Sequence, residues 1–139
     1  RMEAVPVSTN EQCGLEIADR SARLLTEGCV VAVDEVQFFA PQIVNKLVHV
    51  AYEQKRRVIV AGLDLDADAA PFGPVPFLLA VADAVTKLSA VCLECGATAT
   101  RTRRLLPNEN TGSQIQVGGK DTYEAVCAIC FARSRYRGL

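Results

Sequence analysis

Cys29-Val30-Val31-Ala32-Val33-Asp34-Glu35 is the stretch on which the fold turns. Its continuous apolar run is the signature of a strand buried on both faces, as in a parallel sheet. The run stops abruptly at two carboxylates. Upstream, Glu3 to Val7 alternates as a short strand, and Ser8-Thr9-Asn10-Glu11 matches a capping box. Leu15, Ala18, Ala22 and Leu25 follow at helical spacing, and Gly28 is a natural residue to close that helix. Downstream, Pro41 suits a helix start, with Ile43, Val44, Leu47 and Ala51 as its buried stripe. Arg56-Arg57 leads into a second apolar strand, Val58 to Ala61, closed by Gly62. A third helix is predicted from about Pro76 to Ala84, and a further strand from Leu88 to Val91. Helix and strand alternate over residues 3–91, which predicts an α/β domain with a parallel sheet. Residues 92–139 have no room for a second such unit and read as a small subdomain with short strands and a long loop.

The composition agrees with one domain plus a small appendage. The chain has 139 residues, is 50% hydrophobic and 22% charged, and carries 15 Lys plus Arg against 16 Asp plus Glu. Intrinsic disorder needs lower hydrophobicity and a larger net charge. A broad nucleic-acid or membrane-surface footprint needs excess positive charge, so neither partner is expected. The apolar run Val75 to Val81 is far too short to span a bilayer. Five Phe, three Tyr and no Trp imply a mainly aliphatic core.

Six cysteines are present, and four form two C-x-x-C pairs, Cys92/Cys95 and Cys127/Cys130. Each pair can aim two sulfurs at one centre, and two pairs complete a tetrahedral zinc site. A thioredoxin-like redox motif would use one pair, and a disulfide framework would suit a secreted chain with a signal peptide, which is not visible here. Four thiolates leave no open position for a catalytic water, so the zinc is expected to be structural. The connecting residues 96–126 exceed the usual zinc-ribbon spacing and imply a loop with its own task. Cys13 and Cys29 lie in apolar segments and are expected to be inert and buried.

Four segments can carry chemistry. A buried strand ending in Asp34 is the Walker B arrangement, in which the carboxylate reaches nucleotide-bound Mg²⁺ at the carboxyl edge of the sheet. Glu35, on the other side of the pleat, is then placed as a general base toward a hydroxyl; the alternative is that Asp34 merely begins a turn. Gly62-Leu63-Asp64-Leu65-Asp66, followed by Pro71-Phe72-Gly73-Pro74, ends the second strand, and on its own reads as a solvated loop. Ala99 to Arg104 is a cationic and hydroxyl run beside the first cysteine pair. Its arginines are not interleaved with aromatics, which favours a solvated or phosphate-contacting strand over nucleic-acid reading. Val117-Gly118-Gly119-Lys120-Asp121-Thr122-Tyr123 has paired glycines that permit close backbone approach to a ligand. His49, the only histidine, sits in a helix and reads as a surface or packing residue.

Taken together, these segments resemble the type II thymidine kinases, the cytosolic-type family. The resemblance runs from about Met2 to Cys130. It rests on Asp34-Glu35-Val36-Gln37-Phe38-Phe39, Ala61-Gly62-Leu63-Asp64, Pro71-Phe72-Gly73-Pro74-Val75-Pro76, Val85 to Cys92, and Gly118-Gly119 through Tyr123-Glu124-Ala125 to Cys127. It implies a P-loop-kinase-like (RecA-like) α/β core over residues 1–91 and a four-cysteine zinc lasso over 92–139. The implied reaction is transfer of the ATP γ-phosphate to the 5′-hydroxyl of thymidine. Glu35 matches the general base, and Asp34 the metal-linked carboxylate, with Gln37 beside it on the nucleotide side. Phe38 matches the aromatic that packs on thymine, with Leu63 and Phe72 near the nucleoside. Gln116, Gly118 and Gly119 fall in the loop whose backbone reads the base; Tyr123 matches the residue that closes over it. Thr102 and Arg104 match residues of the same pocket. The resemblance further implies ATP, Mg²⁺ and structural zinc as cofactors, a tetrameric assembly, and a cytoplasmic location.

Two features depart from the family pattern. No G-x-x-x-x-G-K-[ST] phosphate loop occurs in the sequence, and Gly119-Lys120 is followed by Asp121. The family places that loop on a strand upstream of Arg1, so the sequence is expected to be either part of a longer kinase or a truncated, inactive copy. After Asp64, where the family carries an aromatic and a basic residue, the chain reads Ala67-Asp68-Ala69-Ala70. The second reading is therefore a non-catalytic homologue that binds nucleoside or serves as a structural subunit. A zinc-knuckle nucleic-acid binder ranks third.

Overall fold

Val30–Val33 (β1) and Arg57–Val60 (β2) pair in parallel, Val30 opposite Arg57 and Val33 opposite Val60, in the computed structural model, which describes residues 30–105 and 122–136. The predicted strand at Glu3 to Val7, the helix after it, Cys13, Cys29 and the loop residues Gln116, Gly118 and Gly119 lie outside the described residues. The described chain forms two compact units, residues 30–64 with Phe72–Asp83, and Leu65–Pro71 with 84–105 and 122–136.

The first unit is a small α/β layer. A parallel connection needs a crossover, and Ile43–Tyr52 (α1) supplies it. The helix follows a turn at Pro41, whose carbonyl accepts from the Val44 N–H (3.2 Å). Ile43, Leu47 and Val50 are buried on α1, a 3–4 spacing that puts them on one face. The second helix, Val75–Val81 (α2), has a proline in its first turn and buries Val75. Val36, Ile43, Leu47 and Val75 form the core cluster, with Val33, Val58 and Val60 of the strands packed against it. Burying each such side chain contributes about 1.5–3 kcal/mol.

Two expectations change here. The strands are not buried on both faces: burial alternates along each, and Val30 (51%) and Ile59 (49%) are exposed. Among the described residues both helices lie on the Val33–Val58–Val60 side, so only that face gains cover. The helix predicted to run to Ala84 stops at Val81, because Ala82 takes an extended conformation and Asp83 accepts a hydrogen bond from the Tyr52 hydroxyl (3.0 Å).

The second unit consists of two antiparallel ribbons and a helix. Ala90–Val91 (β3) pairs with Thr98–Ala99 (β4), and Arg101–Arg104 (β5) with Tyr123–Val126 (β6), followed by Ala128–Tyr136 (α3). The predicted strand at Leu88 to Val91 is therefore not a further parallel strand. Only its last two residues pair, and they do so with a strand beyond the first cysteine turn. Leu88 itself is 88% exposed, so that apolar stretch does not enter a sheet interior. Cys92, Ala99, Val126, Cys127, Cys130 and Phe131 make the core of this unit, with Ala69 and Ala125 against it. Half of those core residues are cysteines, so apolar burial alone is thin for a unit this small. No helix among the described residues is long and apolar enough to cross a membrane.

Candidate active site and four-cysteine centre

The carboxyl ends of β1 and β2 lie side by side because the strands are parallel and in register. Their ladder continues past the strands: the Ala61 N–H donates to the Val33 carbonyl (2.8 Å) and the Val36 N–H to the Ala61 carbonyl (3.1 Å). This brings Asp34-Glu35 and Gly62-Leu63 to one sheet edge, where ligands of α/β folds bind. Glu35 is not one more pleat of the strand. Its φ of 52° is left-handed, a conformation that costs a non-glycine residue about 1–2 kcal/mol. The Asp34 carboxylate accepts from the Glu35 N–H (2.8 Å) and supports that turn. The chain then enters a 3₁₀ turn, Val36–Phe38, which buries Gln37 and leaves Glu35 exposed.

Gln37 joins the two strand ends. It is 3% exposed, accepts a hydrogen bond at Oε1 from the Leu63 N–H (3.1 Å), and donates from Nε2 to Glu35 Oε2 (2.5 Å). Two glycines make room for it. A Cβ on Gly62 would stand 2.7 Å from Gln37 Oε1, and one on Gly73 would stand 2.2 Å from the Gln37 carbonyl oxygen. Gly73 also has a left-handed φ of 52°. Gly73→Ala is therefore expected to destabilise the protein by about 2–4 kcal/mol, measured by denaturant unfolding. A loss below about 0.5 kcal/mol would show that the contact relaxes without consequence.

Aromatic residues complete this edge. Phe38 and Phe72 meet edge to face, with ring centroids 5.7 Å apart and planes at 89°. Phe72 is buried and braces Phe38, whose ring remains partly exposed, as does the Leu63 side chain (49%). An exposed carboxylate and a partly exposed aromatic ring on one sheet edge suit a ligand that carries both a hydroxyl and a planar ring.

The acidic loop after β2 does something else. Asp66 is buried, and its Oδ1 accepts from the backbone N–H groups of Asp68 and Ala70 (2.9 Å each). That carboxylate shapes its own turn, an Asx-type function. Nothing in its residue type separated it from Asp64 in the sequence.

On the β5–β6 ribbon, Thr102 and Arg104 alternate onto the same face as Tyr123, since Arg104 pairs with Tyr123 and Thr102 with Ala125. The Arg104 guanidinium lies 5.8 Å from the Tyr123 ring centroid. Arg103 faces the other way and pairs with Glu124 (2.6 Å) and Glu94 (2.8 Å). The basic run thus has local partners, a signal that spacing alone does not carry. His49 is exposed on α1.

The two C-x-x-C turns converge. All four sulfurs of Cys92, Cys95, Cys127 and Cys130 lie within 4.8 Å of one another, and Cys95 and Cys127 are 3.7 Å apart. A tetrahedral centre with zinc–sulfur bonds near 2.3 Å places its sulfurs about 3.8 Å apart, so the group fits zinc. Cys92, Cys127 and Cys130 are buried and Cys95 is exposed. Local hydrogen bonds hold both turns: in the first, the Cys92 N–H donates to the Ala97 carbonyl (2.8 Å) and the Gly96 N–H to the Cys92 carbonyl (2.9 Å), and in the second the Phe131 N–H donates to the Cys127 carbonyl (2.9 Å). The Leu93 N–H donates to the Ala125 carbonyl (3.0 Å), tying the first turn to the strand that leads into the second.

The thiols are unequal. Hydrogen bonding from the Cys127 backbone lowers Cys92 to about 6, hydrogen bonding from the Cys130 backbone lowers Cys127, and burial pushes Cys130 up. Metal binding requires thiolates, so Cys130 must lose its proton on zinc uptake. Zinc uptake near pH 7.5 is therefore expected to release protons, and affinity to strengthen as pH rises. Calorimetry in two buffers of different ionisation enthalpy measures this, and a pH-independent, proton-neutral uptake would contradict it.

The residues gathered at the β1–β2 edge and the cysteines are those on which the family resemblance rests. A family model described as thymidine kinase matches residues 4–131. That match covers most of the 139 residues, and the chain belongs to the thymidine kinase family.

Proposed function

We propose that this chain is the nucleoside-phosphorylating part of a thymidine kinase, moving the γ-phosphate of ATP to the 5′-hydroxyl of thymidine. The observation that carries the reading is the β1–β2 edge, where Gln37 holds the exposed Glu35 carboxylate and the chain runs on within three residues to the Phe38–Phe72 aromatic pair. Glu35 takes the proton of the 5′-hydroxyl as oxygen attacks phosphorus. Phe38 supports the thymine ring, with Phe72 behind it and Leu63 alongside. Asp34 is the carboxylate for nucleotide-bound Mg²⁺; its position at a strand end and its exposure suit that task. Mg²⁺, when bound with ATP, neutralises charge on the phosphates.

The remaining assignments follow the family resemblance. Thr102, Arg104 and Tyr123 are assigned to the nucleoside, and Gln116, Gly118 and Gly119 to backbone recognition of the base. Zinc at the four cysteines is structural. The core belongs to the P-loop-kinase-like class, the assembly is a tetramer, and the protein works in the cytoplasm, where thiols stay reduced.

Calorimetry on the complete gene product separates this from the non-catalytic reading. Binding of both thymidine and Mg·ATP is expected. Thymidine binding without any ATP binding would instead support a nucleoside-binding homologue, the reading favoured by Ala67-Asp68-Ala69-Ala70.

A further inference from the structure

We infer that Gln37 is the positioning residue of the Glu35 carboxylate and acts through it. The inference rests on the kinase reading above. Glu35 is exposed at a left-handed turn, and an exposed glutamate samples many rotamers. A base is effective only when its oxygen is held toward the hydroxyl.

Gln37 supplies that hold. Its side chain is buried, so its amide can reach only what surrounds it. Oε1 accepts from the Leu63 N–H (3.1 Å), which fixes the amide orientation, and Nε2 then must face Glu35 Oε2 (2.5 Å). Oε2 is occupied by the amide, and Oε1 of Glu35 is the oxygen left to take the substrate proton. Both polar ends of the Gln37 amide are engaged within the protein.

The surroundings fit this task and no looser one. Gly62 and Gly73 close on the Gln37 side chain and backbone at distances that admit no Cβ. The segments that end β1, follow β2 and precede α2 thus converge on one residue, the second on its side-chain amide and the third on its backbone. Glutamine combines the length needed here with a carbonyl acceptor and an amide donor group. Glutamate would place a carboxylate against Glu35, and methionine would offer neither hydrogen bond.

The test uses the complete gene product with thymidine, ATP and Mg²⁺. Gln37→Glu preserves shape and the acceptor for the Leu63 N–H but removes the donor to Glu35. It should lower kcat about 10- to 100-fold while KM for thymidine and for ATP stays within about threefold. Leu63 amide exchange, followed by NMR or mass spectrometry, should keep its wild-type protection in Gln37→Glu and lose it in Gln37→Met. In a Glu35→Gln background, Gln37→Met should add no further loss of kcat, because a residue acting through Glu35 has nothing left to position. Additive losses, a raised KM for ATP with kcat intact, or wild-type turnover by Gln37→Glu would each overturn the inference. Inactivity of the wild-type protein would overturn the kinase reading instead. Leu63 exchange that is unchanged in Gln37→Met would refute the amide anchor whatever the activity.

Discussion

Glu35→Gln should reduce thymidine phosphorylation about 10²- to 10⁴-fold, the range expected on losing a general base. The substitution keeps size and shape and removes the negative charge with the capacity to accept a proton. Glu35 is exposed and belongs to no core cluster, so the fold should be unaffected. Its backbone N–H would still donate to Asp34, and the left-handed turn would persist. The contact with Gln37 would change from amide–carboxylate to amide–amide, which is weaker but still satisfiable. Thymidine affinity should stay within about threefold, since the aromatic pair Phe38–Phe72 is untouched. A loss confined to kcat places Glu35 in the transition state. Full activity in the variant would remove it from the mechanism.

Cys92→Ser should have the largest structural effect. Cys92 is 2% exposed, sits at the start of the first turn and packs in the core of its unit. A serine hydroxyl does not ionise in this range and is a poor zinc ligand, so the tetrahedron is broken. Metal content should fall from about one zinc per chain to near none. The unit has little apolar core beyond Val126 and Phe131, and metal binding in such units supplies folding free energy directly. A loss of several kcal/mol is expected, seen as melting of the unit at least about 10 °C lower. Limited proteolysis should then cut between Cys92 and Cys130. A metal-free variant with wild-type melting would show that apolar packing alone holds the unit.

Some of this was legible in the sequence for clear reasons. The β1–α1–β2 unit follows from apolar periodicity, because each element buries one face or stripe and spacing reports the face. Ile43 and Leu47 were readable in this way, and so was the cysteine quartet, whose ligands come in local pairs. The exposed outer face of β1 and β2 was not readable, since an apolar run does not say which faces are covered. The Leu88–Val91 stretch misled for a related reason: apolar content signals a strand but not its partner, and Ala90–Val91 found one across the cysteine turn.

The candidate site divides similarly. Asp34 and Glu35 stand out at the end of their strand. The left-handed turn at Glu35 does not, because no glycine or asparagine marks it. The bond between Gln37 and Leu63 joins residues far apart in sequence, and local patterns carry no trace of it. Gly62 and Gly73 were visible as motif glycines, but their purpose needs the position of Gln37. Asp66 belongs to a stretch that reads as a solvated loop, and it is instead buried, accepting from that loop's own backbone.

The central claim is phosphoryl transfer to thymidine at the β1–β2 edge. Its most direct measurement is the product formed when the complete gene product meets thymidine, Mg²⁺ and ATP labelled on the γ-phosphate. Labelled thymidine 5′-monophosphate is expected with ADP in equal amount, at a rate about 10²- to 10⁴-fold lower with Glu35→Gln. ATP hydrolysis without labelled nucleotide, or no turnover while thymidine binds, would contradict it.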